Sequence, residues 1–82
     1  MSENELLGRI AINPGVMVGK PVIKGTRLTV EYVLNLLAHA SAFEDILQEY
    51  DDLTLEDIQA CLLFATRSLE STDFMPLGSE TL

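Results

Sequence analysis

The stretch Ser41-Ala42-Phe43-Glu44-Asp45-Ile46-Leu47-Gln48-Glu49-Tyr50-Asp51-Asp52-Leu53-Thr54 decides the fold. Serine followed three residues later by glutamate is the pattern of a capping box, which predicts that Ser41 and Glu44 close the start of a helix. Phe43, Ile46, Leu47 and Tyr50 then share one apolar face over two turns. Asp51-Asp52 stops that helix, Leu53 tucks inward, and Thr54 caps another helix with Glu56 and Asp57 in its first turn. Ile58, Cys61, Leu62, Ala65 and Leu69 continue it as a core stripe. Leu63 and Phe64 fall on opposite flanks of that stripe. A helix this apolar all round needs cover from the N-terminal segment or from another chain.

Upstream, Thr29 caps a helix whose buried face is Val30, Val33, Leu34 and Leu37. His39 falls in its last turn, where it serves as a capping or surface residue. The reading is therefore mainly α, with helices over 30–39, 42–50 and 54–69. A short helix, a tight turn and a longer helix is the order of a helix-turn-helix unit, so the fold expected is a three-helix, homeodomain-like bundle. Its core is Val33, Leu34, Leu37, Ile46, Leu47, Tyr50, Leu53, Ile58, Cys61, Leu62 and Ala65.

Residues 9–28 precede that bundle as an extended arm or short β-hairpin. Ile10 and Ile12 alternate onto one face of a strand, Asn13-Pro14-Gly15 is turn chemistry, and Val22-Ile23 is a second short strand. Gly19 and Pro21 break the chain between them. Gly25 supplies a positive φ that reverses the chain toward Leu28. Residues 1–8 are expected as a flexible N-terminus and 70–82 as a flexible tail carrying Phe74, Met75 and Leu77.

Eighty-two residues make one small domain, which buries only about 60% of its unfolded surface and gains from a partner. The acidic start is no signal peptide, and no apolar run approaches a membrane span, so a cytoplasmic location is expected. The net charge of −8 is divided. Through Val30, four basic residues oppose two acids. From Glu31 onward, eleven acids oppose Arg67 alone. That balance argues against nonspecific polyanion binding. A basic arm and an acidic body, with surplus apolar Leu63 and Phe64, point to a homodimer.

No catalytic constellation is visible. A single histidine and a single cysteine make neither a zinc set nor a nucleophile pair. Gly15 to Lys20 lacks the spacing of a phosphate loop, and the acids between Glu44 and Asp57 lack the alternation of a calcium loop. The chain reads as a binding module, not an enzyme, and as needing no metal or cofactor. On a recognition helix beginning at Thr54, only Gln59 is a good base reader, and Glu56 and Asp57 repel phosphate. Any nucleic-acid contact therefore falls to the arm, at Arg9, Lys20, Lys24 and Arg27. Arg27 alternatively anchors the arm on a carboxylate of the acidic body.

The run from Ile10 to Leu28, with its Gly19-Lys20-Pro21 and Gly25-Thr26-Arg27 pairing, resembles the signature of the bacterial "domain of unknown function 433" family. The capped helices through Thr54-Leu55-Glu56-Asp57-Ile58 resemble it too. The resemblance implies a homeodomain-like trihelical protein. It also implies an antitoxin-like role: binding a PIN-like ribonuclease toxin and, alternatively, operator DNA as a regulator. Leu63, Phe64, Arg67, Phe74, Met75 and Leu77 are the expected partner contacts, with Arg67 inserted among the nuclease's metal-binding carboxylates.

Overall fold

The structure is a computed structural model that describes residues 1–15 and 17–70. It is mainly helical. Helix α1 spans Glu3–Leu7, strand β1 Ile10–Ala11 and a 3-10 turn Met17–Gly19. Strand β2 is Val22–Ile23, followed by α2 (Val30–Ala38), α3 (Phe43–Glu49) and α4 (Leu55–Glu70). Among the described residues no helix is long and apolar enough to cross a membrane.

The two strands pair antiparallel, Ile10 with Ile23 and Ala11 with Val22. Strands of two residues do not hold themselves, and β2 is secured on its other edge as well. Ile23 N–H donates to Leu28 O at 3.0 Å, and Val30 N–H donates to Pro21 O at 3.0 Å. The reversal between them uses Gly25 at φ +80°. Thr26 Oγ1 accepts from Leu28 N–H (3.0 Å) and donates to Ile23 O (2.8 Å). Ile23 is thereby carried into the core, 1% exposed. Ile12, expected on the same face as Ile10, is 60% exposed. The strand ends at Ala11, before the turn in which Asn13 Oδ1 accepts from Gly15 N–H at 2.9 Å.

Thr29 caps α2 by accepting from Tyr32 N–H at 3.0 Å. The helix closes with Ala40 in the left-handed region (φ +67°), Ala40 N–H donating to Leu37 O and Ser41 N–H to Leu36 O. That is a Schellman closure, and it corrects the reading of Ser41. Its N–H belongs to the end of α2, so α3 starts one residue later. Ala42 is the N-cap, its N–H donating to Asp45 Oδ2 at 3.3 Å, and Glu44 is exposed and takes no part. His39 turns back on its own helix, Nδ1 donating to Asn35 O at 2.8 Å.

Residues 1–8, expected to be flexible, contain a helix. Ser2 Oγ accepts from Glu5 N–H and Glu5 Oε1 accepts from Ser2 N–H, both at 3.2 Å. Hydrogen bonding to Ser2, first to its backbone N–H and then to its side chain, holds the Glu5 carboxyl below its ordinary pKa. Five residues show no helical period and would not persist alone. The helix stands because it packs along α4, where Glu3 pairs with Arg67.

That packing also rotates the buried face of α4. Ala60 is fully buried, whereas Leu62, expected in the core, is 39% exposed. Ala60, Phe64 and Arg67 share the side on which α1 lies, so the core extends toward them and Leu62 turns outward. The buried cluster is Ile23, Val30, Val33, Ile46, Leu53, Ile58 and Cys61. Leu34, Leu37, Leu47 and Tyr50 pack half-buried around it.

The start of α4 is a reciprocal box. Thr54 Oγ1 accepts from Asp57 N–H (3.2 Å), and Asp57 Oδ2 accepts from Thr54 N–H (3.0 Å). Arg9 Nη1 donates to Asp57 Oδ1 at 3.0 Å and to Thr54 Oγ1 at 3.4 Å. The Asp57 side chain is 9% exposed and that of Arg9 33%. Replacing Asp57→Ala removes the cap and strands the guanidinium, at a cost of about 2–4 kcal/mol. The expected result is a melting temperature lower by about 10–20 °C. Arg9→Ala leaves the Thr54 bonds in place and should cost less than half as much, as thermal denaturation followed by circular dichroism would show.

Candidate protein-interaction surface

Where α2 and the second half of α4 run side by side, they leave an open groove of about 550 Å³. Its walls are Pro21, Val30, Leu34 and Ala38 on one side and Phe64, Ala65, Ser68 and Leu69 on the other, with Glu31 and Asn35 at the rim. The α2 wall is a row at four-residue spacing, Val30, Leu34 and Ala38, which one helix presents along a single line. Ala65 and Ala38 are small enough to leave the space open. The sequence placed Leu34 and Ala65 in the core, and both are half-buried at its edge. Val30 and Leu34 were legible as part of one apolar face of α2, and Ala38 was not part of that reading. The row's lack of cover was not legible, because that depends on where α1 lies.

The expected partner residues do not form one patch. Phe64 packs on the core and also separates the groove from a smaller cleft lined by Leu7, Ile10, Ile12 and Arg67. Leu63 is half-buried. Arg67 donates to Glu3 across the helix pair and to Glu70 Oε1 at 3.2 Å, so it clamps α1 onto α4. Phe74, Met75 and Leu77 lie outside the described residues.

The basic residues do not converge either. Arg9 is engaged with Asp57, and Lys20 Nζ donates to Glu31 Oε1 at 3.1 Å. Lys24 and Arg27 are exposed on the turn after β2, and their side chains make no hydrogen bond or ion pair among the described residues. Arg27 lies along a shallow cleft with Glu49, Asp51 and Asp52. The residue that anchors the arm to an acid of the body is Arg9, not Arg27. Gln59 is exposed on α4, flanked by half-buried Glu56 and exposed Leu55 and Leu62. The outward face of that helix is neutral and apolar.

Other polar chemistry here is structural. Tyr32 and Tyr50 share a hydroxyl–hydroxyl bond with rings perpendicular at 6.1 Å, tying α2 to the end of α3. That bond pushes the Tyr50 phenol up to about 12. Among the described residues no group of three or more His, Cys, Asp or Glu is placed to hold a metal ion.

The family model described as "Protein of unknown function (DUF433)" matches residues 10–65. The chain belongs to the DUF433 family. The match spans the hairpin, α2, α3 and most of α4, and leaves out α1 and the turn carrying Arg67 and Leu69. A similar solved structure is the crystal structure of a DUF433 member protein from Anabaena variabilis, with a TM-score of 0.73 and 28% sequence identity. The similarity covers 82% of this chain and 66% of that one, so this DUF433 chain spans slightly less than two thirds of its relative. No curated protein matches it.

Cys61 is fully buried, and burial, with Asp57 adding negative charge, pushes its thiol from 9.0 up to about 12. A thiol held protonated is a poor nucleophile. The native protein should resist a disulfide-exchange reagent at pH 8 and react fully once unfolded in guanidinium. Above pH 9 the unfolded chain loses the thiol proton first, so stability falls as pH rises from about 9 to about 12. Cys61→Ala should flatten part of that alkaline loss in pH-dependent denaturation curves.

Proposed function

We propose that this DUF433 protein is a small cytoplasmic, antitoxin-like binding module. It neutralises a PIN-like ribonuclease by seating an apolar segment of that partner in the α2–α4 groove. It has no enzymatic role of its own. On this reading α2, α3 and α4 form a homeodomain-like, helix-turn-helix scaffold put to protein binding instead of base reading. The observation that carries the proposal is the groove: an apolar cleft of about 550 Å³ between two helices, left open among the described residues, the kind of surface on which an amphipathic helix docks. Family resemblance supplies the class of partner. The committed state of Arg9, Lys20 and Arg67 weighs against operator binding, because cations already paired release fewer counterions to phosphate.

The proposal shifts the contact away from Arg67, whose guanidinium is engaged by Glu3 and Glu70, toward Leu34, Ala65 and Leu69. The test is co-expression with any PIN-like nuclease found encoded beside it. The native chain should restore growth, and Leu34→Glu or Ala65→Glu should lose protection while keeping a helical circular-dichroism spectrum. Full protection by both variants overturns the groove as the site. Retained protection that disappears only with Lys24→Glu and Arg27→Glu moves the contact to the turn after β2.

A further inference from the structure

The α2–α4 groove lies where the described residues end. Leu69 is on its wall, and α4 finishes one residue later at Glu70. The sequence continues from Ser71 to Leu82. Ser71-Thr72-Asp73 is turn chemistry, and Phe74-Met75-Pro76-Leu77-Gly78 is an uncharged run in a chain of net charge −8. The groove offers that run apolar walls in Val30, Leu34, Ala38, Phe64, Ala65 and Leu69. Its rim acid, Glu31, is already paired with Lys20, so the groove presents no unpaired cation to an acidic segment from outside.

Reach and spacing agree with this. Three residues span at most about 10 Å, enough for a chain leaving Glu70 to turn back beside Leu69. Pro76 has no N–H and disfavours helical backbone at Met75, so the run favours an extended, polyproline-type course. Residues three apart then share one side, about 9 Å from each other, which puts Phe74 and Leu77 together. The α2 wall from Val30 to Ala38 runs for about 12 Å and takes both. A segment tethered this closely is present at an effective concentration on the order of millimolar. A second copy of the chain has no tether and meets a like charge of −8.

We propose that residues 74–77 dock in the α2–α4 groove of their own chain, with Phe74 and Leu77 against Leu34, Ala38 and Ala65. Ser71-Thr72-Asp73 makes the reversal, and the acids on either side of the run, Asp73 and Glu80, stay in solvent. The inference rests on the reading of the groove as a docking site and adds its regulation. A partner's segment enters by displacing the tail, so its apparent affinity falls with the fraction of chains in which the groove is filled.

Nuclear magnetic resonance of the full chain tests it. The Phe74 ring should show Overhauser contacts to the methyl groups of Leu34 and Ala38, which are far from it in sequence. Phe74→Ala and Leu77→Ala should each shift the amide signals of Leu34 and Ala38 and leave those of Leu55 and Leu62, on the outward face of α4, in place. No Phe74 contact to the groove, or shifts at Leu55 and Leu62 instead, overturns the proposal. Shifts that vanish on dilution put the tail in another copy's groove and overturn the same-chain arrangement. Co-expression tests the displacement step: the Phe74→Ala, Leu77→Ala double variant should protect against the nuclease at a lower expression level than the native chain. A need for more of the variant overturns that step. The two readings fail separately. Leu34→Glu that loses protection, with no Phe74 contact in the native chain, removes the docked tail and leaves the groove as the partner site. A Phe74 contact in the native chain, with full protection by Leu34→Glu and Ala65→Glu, keeps the docked tail and removes the partner site.

Discussion

The contact between Arg9 and the capped start of α4 holds the two halves of the molecule in register. The Arg9 backbone lies in the hairpin, where its carbonyl accepts from Lys24 N–H at 2.9 Å. Its guanidinium reaches Asp57 and Thr54, the two residues that close the first turn of α4. One residue therefore fixes a sheet too small to persist by itself against the longest helix. Asp57 spends one carboxylate oxygen on Thr54 N–H and the other on Arg9, which is why a carboxylate can be buried there. Among the described residues no buried side-chain polar atom is left without a partner. With the hairpin anchored at one end of α4 and Glu3 on Arg67 toward the other, α1 has one place to lie.

That arrangement uses the scarce cations of an acidic chain as internal counterions. Arg9, Lys20 and Arg67 each face a carboxylate, leaving Lys24 and Arg27 on an exposed turn. The surfaces left over are apolar: the groove between α2 and α4 and the leucine row on the far side of α4. A chain of 82 residues has limited capacity to bury its own apolar side chains. Leu69 borders both surfaces.

Helix starts were legible wherever the cap is a local bargain between a hydroxyl and an amide three residues on. Thr29 and Thr54 act within their own turns, and nothing distant competes for them. Ser41 failed as a cap for a physical reason: its N–H is claimed by Leu36 O at the end of α2, so the register of α3 is inherited from the helix before it. Helix α1 has the same serine–glutamate pattern, at Ser2 and Glu5, and the same argument applied there would have found it. Its brevity hid it, since five residues carry no period.

By itself the sequence determined the order and kind of the main elements, the turn at Gly25, and the central apolar residues Val33, Ile46, Leu53, Ile58 and Cys61. These follow from backbone preference and from spacing along one helix, which are local properties. Only the tertiary structure decided which arginine anchors the arm, which side of α4 is buried, and which apolar residues are left uncovered. Ala60 and Leu62 are two residues apart on one helix, and period alone cannot say which of them faces a neighbour. That choice was made by α1, through contacts that span about sixty residues of chain and leave no trace in either segment read separately.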